Sequence, residues 1–227
     1  ALDDVLGIIE RKQYLDIEEL RAQSDLLGDD RTGLVLSPLH YAARFLPTYI
    51  ALEQVPPVLP VWQAMKPELE ALGYSVWVGY LHAEQYGVPQ TRKRAYLIAR
   101  RDGVEAQAPE RMAPKSIGDV LIVRGTHLSH GTRDNSAVRP VSAPAATMAF
   151  GHDIGSFRWV NRDEHSSNYD AVKASSEKLT LDEAKVLQSY PWDFEFLGTK
   201  QERSRQIGNA VPPLVAKAVL QELWEKN

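Results

Sequence analysis

Two arginines separated by one residue give the clearest indication of chemistry in this sequence. Arg92 and Arg94 flank Lys93, and in extended backbone alternate residues point to one side of the chain. Guanidinium groups are planar and permanently charged, so two on one face suit a carbonyl oxygen and a phosphate. For the arginines taken alone, the tip of an ordinary charged hairpin is the alternative interpretation.

A carboxyl group is the second candidate. Tyr49–Glu53 is a short apolar run bounded by Pro47 and Pro56, which predicts a buried strand that ends at Glu53. Open α/β sheets place their sites at the carboxyl ends of strands. Glu53 is therefore a candidate acid, and a solvated residue at a strand end is the alternative.

Composition excludes several kinds of chemistry. The 227 residues include no cysteine, which rules out disulfides, cysteine-ligated zinc and a thiolate nucleophile from this chain. His127 and His130 lie three apart without paired carboxylates beside them, so no metal site is predicted. The net charge of -4 argues against a nucleic-acid binder that acts through bulk positive charge. No signal peptide or membrane span is recognised, so a cytoplasmic protein is expected.

The first half of the sequence predicts helices and then strands. Residues 1–48 are expected to be mostly helical, with Asp16 as an N-cap. After the strand at 49–53, a helix from Val61 to Leu72 is expected to break or restart at Pro67 and to end at Gly73.

Two further strands are predicted at Ser75–Leu81 and Ala95–Ala99. The loop between them is too short for a parallel crossover, so the two should pair antiparallel. The resulting β-α-β pattern ends in a hairpin, as in a doubly wound sheet with an antiparallel edge strand.

The amino-acid composition changes in the second half of the sequence. Residues 103–177 are rich in Gly, Ser, Asn and Pro, which predicts a small irregular or β-rich insertion. A helix is then expected at Leu181–Gln188, where Thr180 and Glu183 form a capping box. A final helix is predicted from Pro212 to Lys226.

Four segments, in this order, resemble motifs of the DNA cytosine-5 methyltransferase family. They are Glu53-Gln54-Val55, Tyr86–Arg94 with its Gln-x-Arg-x-Arg pattern, Leu179–Pro191 and Gln206–Pro213. The resemblance implies an α/β fold: a partial S-adenosylmethionine-dependent, Rossmann-like sheet with an antiparallel edge hairpin and a small target-recognition insertion. It assigns 1–102 to the later half of the catalytic domain, 103–177 to target recognition and 178–227 to a return to the catalytic domain.

The resemblance also implies roles for single residues. Such an enzyme flips cytosine out of double-stranded DNA and methylates its C5 from S-adenosylmethionine. Glu53 would act at N3, Arg94 would hold O2, and Arg92 would brace the catalytic loop or a phosphate, so all three should converge on one extruded pyrimidine. Asn209 would contact the cofactor. The candidates for DNA contacts or their support are Gln90, Arg139, Thr147 and Arg158, with His152 and Trp159 as further possibilities.

The sequence departs from the family in two ways. Gln54 stands where the family has Asn, and neither the Phe-x-Gly-x-Gly turn nor the Pro-Cys-Gln loop with the nucleophile occurs. The chain alone is therefore predicted to be inactive. Three explanations stay open: a piece of a longer enzyme, a subunit completed by an N-terminal segment or subunit that carries the Pro-Cys-Gln loop, or a non-catalytic DNA-binding or regulatory remnant.

Overall fold

The protein is described by a computed structural model over residues 2–26, 33–130, 137–148, 157–161 and 177–225. The chain divides into two compact units. The first contains Ala1–Leu81, Lys93–Pro109 and Val219–Asn227, and the second contains His82–Arg92 and Glu110–Ala218. Each unit has its own hydrophobic core. None of the helices that the structure describes combines the length and hydropathy needed to cross a bilayer.

The first unit begins with helices, as predicted. They are α1 (Leu2–Glu10), α2 (Ile17–Asp25), α3 (Ser37–Phe45) and α4 (Leu59–Ala71), with short 3-10 turns at Gln13–Leu15 and Pro56–Val58. The Asp16 carboxylate accepts hydrogen bonds from the backbone N–H groups of Glu18 and Glu19. These bonds satisfy two of the free donors that every helix start leaves, so the predicted N-cap is confirmed.

The expected break at Pro67 is wrong, because α4 continues through it. Proline lacks the N–H that would bond one turn back, but Trp62 and Met65 on the opposite face are buried in the core. Their packing holds the helix together across the missing bond. Gly73 follows the helix at a φ of 86°, which confirms the predicted C-terminal cap.

Three strands form the sheet of the first unit, and all three were predicted. They are β1 (Tyr49–Gln54), β2 (Ser75–His82) and β3 (Lys93–Arg100), in the order β1-β3-β2. β1 and β3 pair antiparallel with Glu53 opposite Tyr96. Within the described sheet β1 has a neighbour on one side only, and it is half-buried rather than buried as predicted.

A buried arginine fastens the end of the chain to this sheet. Arg100, at the end of β3, is fully buried; its Nε donates to Asp102 over 2.7 Å and its Nη1 to the carbonyl of Glu222 over 2.9 Å. The Arg100 guanidinium holds the pKa of the Asp102 carboxyl far below its usual range. The C-terminal helix is thus tied to β3 through charge-assisted bonds.

The second unit contains a small antiparallel sheet, in keeping with the predicted β-rich insertion. Its strands are β4 (His127–His130), β5 (Ala137–Pro140), β6 (Phe157–Val160) and β7 (Glu177–Lys178), in the order β5-β4-β6-β7. A 3-10 turn at Ala83–Gln85 and helices α5 (Leu181–Leu187) and α6 (Lys200–Asn209) complete this unit, and α7 (Pro213–Trp224) ends the chain. Leu128, Trp159 and Leu187 are among the residues of its core.

Helices α5 and α6 begin with capping boxes. Thr180 and Glu183 exchange both bonds of the box, as predicted. Thr199 and Glu202 do the same at the start of α6, a helix that the sequence analysis missed although the same Thr-x-x-Glu signal is present.

Candidate active site

Glu53 and Arg94 meet on one face of the first unit's sheet. Glu53 lies opposite Tyr96 in the register of β1 and β3, and Arg94 is two residues from Tyr96 on the same strand. Their side chains therefore lie on the same face as a diagonal pair. Arg94 Nε is 3.2 Å from Glu53 Oε1, and the two side chains are 17% and 23% exposed. The pair is therefore only partly exposed.

The residues around this pair are also held in place. Arg94 Nη1 donates to the carbonyl of Lys93 over 2.7 Å. The Lys93 ammonium lies 3.7 Å from the centre of the Tyr80 ring, a cation–π contact. Gln54, which replaces the family's Asn, accepts a hydrogen bond at Oε1 from the N–H of Val55 over 2.8 Å. Its longer side chain thus folds back and braces the turn after β1.

Arg92 has a different setting from Arg94. β3 begins at Lys93, so Arg92 lies before the strand and the alternation argument does not extend to it. Arg92 is buried, with 4% of its surface exposed, and its Nη1 donates to the carbonyl of Met148 over 3.3 Å. Its backbone N–H donates to Glu84. These contacts suit a residue that braces a loop better than one that touches a base.

The turn that ends at Arg92 is joined to the segment 145–148. Ala145 N–H donates to Pro89 O over 3.0 Å, and Thr91 N–H donates to Ala145 O over 2.8 Å. The Thr147 hydroxyl donates to the carbonyl of Thr91. Of the DNA-contact candidates, Thr147 is therefore engaged in holding this turn.

Gln90 lies inside the protein, which argues against a direct DNA contact and favours support of the turn. Its side chain is fully buried. Its Oε1 accepts from Met148 N–H over 2.7 Å, and its Nε2 donates to Gln188 Oε1 over 2.9 Å. Gln188, the C-cap of α5, was not among the predicted site residues, although it lies in the Leu179–Pro191 segment that resembles a family motif.

The other recognition candidates are spread over the small sheet. Arg139 pairs in register with Leu128, and Arg158 pairs with the next residue, Ser129. Successive residues of a strand point to opposite faces, so Arg139 and Arg158 lie on opposite faces of this sheet. Trp159 is buried in the core. His152 lies outside the described residues.

His127 and His130 also face opposite sides of β4, because an odd spacing along a strand separates their side chains. Over the described ranges, no group of three or more His, Asp or Glu side chains is arranged to hold a metal ion.

Asn209, the cofactor candidate, is the last residue of α6 and is exposed. Its amide offers both a donor and an acceptor just before the turn that leads into α7. A separate cavity of about 580 Å³ lies between α5, the loop 192–197 and α6. None of the predicted site residues that the structure describes lines it.

Comparisons with known proteins place this chain in a family. The sequence model of the C-5 cytosine-specific DNA methylase family matches residues 23–134 and 123–225. A type II methyltransferase of Haemophilus parahaemolyticus is 31% identical over 192 residues, which are 70% of this chain and 50% of that protein. A type II methyltransferase of Arthrospira platensis is 28% identical over 220 residues, covering 84% of this chain and 60% of that protein.

Solved structures show the same fold. The S. pombe Dnmt2 methyltransferase superposes with a TM-score of 0.61 at 16% identity, over 86% of this chain and 72% of its own. The Entamoeba histolytica methyltransferase EhMeth gives 0.60 at 15% identity, over 90% of this chain and 72% of its own. The mixed α/β architecture is consistent with a partial Rossmann-like methyltransferase fold. The chain spans between half and three fifths of the length of the two type II relatives, and it belongs to the C-5 cytosine-specific DNA methylase family.

Proposed function

We propose that this chain supplies the base-binding and DNA-recognition parts of an enzyme that transfers a methyl group from S-adenosylmethionine to C5 of cytosine in double-stranded DNA. The observation that carries the proposal is the Glu53–Arg94 pair, 3.2 Å apart and partly exposed at the end of β1. A carboxyl group and a guanidinium side by side match the adjacent N3 and O2 atoms of cytosine.

Each member of the pair has a defined task. When a nucleophile adds to C6, the electrons of the C5–C6 double bond shift to C4–C5 and those of the C4–N3 bond move onto N3. Glu53, which has to take up a proton beforehand, donates it to N3 at that point. Arg94 donates hydrogen bonds to O2, where it stabilises the charge that develops in the transition state. C5 is thereby made nucleophilic.

S-adenosylmethionine, when bound, would supply the methyl group that C5 takes up; loss of the C5 proton then expels the nucleophile from C6 and restores the C5–C6 double bond. Asn209 fits one polar contact to it, because its exposed amide can both donate and accept. The described residues contribute only this candidate, so we propose that the remainder of the cofactor site lies on a segment outside this sequence.

The nucleophile also comes from outside this sequence. No cysteine is present, and a thiolate is the nucleophile that the family resemblance implies. We therefore propose that a complementary segment or subunit with the Pro-Cys-Gln loop completes the site, and that this chain alone transfers no methyl group.

DNA recognition is proposed for the small sheet of the second unit. Arg139 and Arg158 lie on opposite faces of that sheet, so one face can present only one of them to a groove. Arg139 is exposed on the edge strand β5, which favours it for a phosphate or base contact.

Reconstitution tests the proposal. The chain is combined with the polypeptide encoded immediately upstream, and incorporation of labelled methyl groups into plasmid DNA free of 5-methylcytosine is measured. Transfer should require both polypeptides. Glu53→Gln should lower kcat/KM on the order of 100-fold to 10,000-fold, and Arg94→Ala on the order of 100-fold to 1,000-fold.

Glu70→Gln is the matched control, because Glu70 is an exposed carboxylate on α4 of the same unit, with its Oε1 3.7 Å from Lys66 Nζ. It should leave transfer unchanged. The second candidate function, a non-catalytic DNA-binding or regulatory remnant, follows from the missing cysteine. It predicts DNA binding by the chain alone that is indifferent to Glu53→Gln and Arg94→Ala, and no transfer in any mixture.

A further inference from the structure

Two buried glutamines link three parts of the second unit. Gln90 and Gln188 are both fully buried. Met148 N–H donates to Gln90 Oε1 over 2.7 Å, Gln90 Nε2 donates to Gln188 Oε1 over 2.9 Å, and Gln188 Nε2 donates to Ile207 O over 2.7 Å. The two amides thus form a continuous chain of donors and acceptors, which we call the glutamine relay.

Both ends of the relay lie beside residues with proposed functions. At one end, Met148 is held on both sides by the turn: Gln90 accepts from its N–H, and Arg92 donates to its carbonyl over 3.3 Å. At the other end, Ile207 lies two residues before Asn209 on α6. No other side chain is interposed between the two glutamines.

Burial makes each link of the relay specific. An unpaired amide in a buried site costs more than its hydrogen bond contributes, so neither side chain can turn away without leaving a group unsatisfied. Neighbouring hydrogen bonds also polarise one another in a low-dielectric interior. The relay therefore favours one relative placement of the turn 89–92, the segment 145–148 and the end of α6.

We propose that Gln188 is a positioning residue. Through Gln90 it fixes the turn that carries Arg92 and the segment that carries Thr147. Both are thereby held in one position relative to the end of α6, which carries Asn209. The first half of the proposal, that the relay fixes these segments relative to one another, concerns this chain alone. The second half, that this placement affects catalysis, rests on the proposed function. The two halves are tested separately.

Gln188→Glu gives the sharpest test, because its effect depends on pH. Burial raises the pKa of a carboxyl group. Below that pKa the acid O–H can still donate to Ile207 O while the other oxygen accepts from Gln90. Above it the carboxylate has no donor and repels the Ile207 carbonyl. The relay should be intact at acidic pH and broken at high pH.

Amide hydrogen exchange in the chain measures whether the relay holds the segment 145–148 in place. In Gln188→Glu at high pH, exchange of residues 145–148 should speed up roughly fivefold, the effect of losing one hydrogen bond, although the Met148–Gln90 bond is not itself altered. The difference should vanish at acidic pH. Gln201→Glu, an exposed residue of α6, is the control and should show no difference at either pH.

Gln188→Asn keeps the donor and the acceptor of the amide, but its side chain is too short to reach both partners. It should therefore speed up amide exchange of residues 145–148 at every pH. This variant replaces Gln188→Glu if the charged variant fails to fold. Unchanged exchange of residues 145–148 in both Gln188 variants would overturn the relay. In the reconstituted enzyme, Gln188→Glu should show a kcat that falls at high pH relative to Gln201→Glu. If amide exchange changes in Gln188→Glu but the pH dependence of kcat does not, only the consequence for catalysis is refuted. If the reconstituted wild-type enzyme transfers no methyl group, the result counts against the proposed function.

Discussion

Glu53 and Arg94 form a partly exposed pair on one face of the first unit's sheet. In the proposed site, the Arg94 guanidinium, 3.2 Å away, orients the Glu53 carboxyl group before a base binds. Arg100 and Asp102 form a second guanidinium–carboxyl pair, in which Arg100 is fully buried and also bonded to the carbonyl of Glu222. The burial of Arg100 and its bond to the last helix suit this second pair to a structural role.

The Arg100–Asp102 pair predicts a pH dependence of stability. The pKa of the Asp102 carboxyl is lowered in the folded protein by Arg100, so the unfolded state binds more protons at acidic pH. The stabilisation is present above the unfolded pKa of about 3.9 and is lost as pH falls towards the folded pKa.

Urea unfolding from pH 7 down to pH 3 measures this effect. Wild type should exceed Asp102→Asn in free energy of unfolding at pH 7, and the gap should narrow below about pH 4. Asp193→Asn, at an exposed aspartate, should run parallel to wild type. A gap that stays constant across the range would show that the ion pair contributes nothing through its charge.

At the scale of elements, α4 illustrates tertiary packing that overrides a local signal. Pro67 is exposed in the middle of the helix, and its ring removes the bond to the carbonyl of Gln63. The buried side chains of Trp62, Met65 and Leu69 keep the helix continuous. Pro67 therefore lowers the stability of the folded protein at this position of α4.

Pro67→Ala should raise the free energy of unfolding by about 2 kcal/mol. An interior proline costs about 3 kcal/mol relative to alanine, and the freer unfolded chain of the variant offsets up to about 1 kcal/mol. Chemical denaturation checks this, with Gln63→Ala as a control that should stay within about 0.5 kcal/mol of wild type. A Pro67→Ala variant no more stable than wild type would mean that the helix has relaxed fully around the proline.

The same elements show how far sequence reasoning reaches. Periodicity and caps located β1, β2, β3 and α5, because these depend on residues close together in the chain. The insertion of β3 between β1 and β2 depends on pairing between distant segments, so the half-buried character of β1 was not foreseen.

The site was only partly foreseeable for the same reason. Glu53 and Arg94 were named through a family resemblance, and the structure shows them side by side. The burial of Arg92 and the pairing of Gln90 with Gln188 were not predicted. No local pattern reports a contact between residues so far apart in sequence.

On the scale of the whole molecule, the first unit presents surfaces suited to association. β1 is an edge strand of the described sheet. Tyr41 and Phe45 on α3 are more than half exposed, and their rings stack at 6.0 Å. Unpaired strand edges and exposed apolar side chains favour contacts between chains.

The isolated chain should therefore self-associate, and Ala51→Lys should reduce this, because a lysine on an exposed edge position hinders strand addition. Sedimentation velocity over a range of concentrations measures the effect. Ala71→Lys, at an exposed position on α4, adds the same charge away from the edge and should associate like wild type. A monodisperse monomer for the wild-type chain at all concentrations would refute the prediction.

The most direct test of the central claim is a double-mutant cycle on methyl transfer by the reconstituted enzyme. If Glu53 and Arg94 act on the same flipped cytosine, the loss in kcat/KM for Glu53→Gln with Arg94→Ala should be clearly smaller than the product of the two single losses. If the loss in kcat/KM of the double variant equals the product of the two single losses, the two side chains act independently. That result would contradict a shared base.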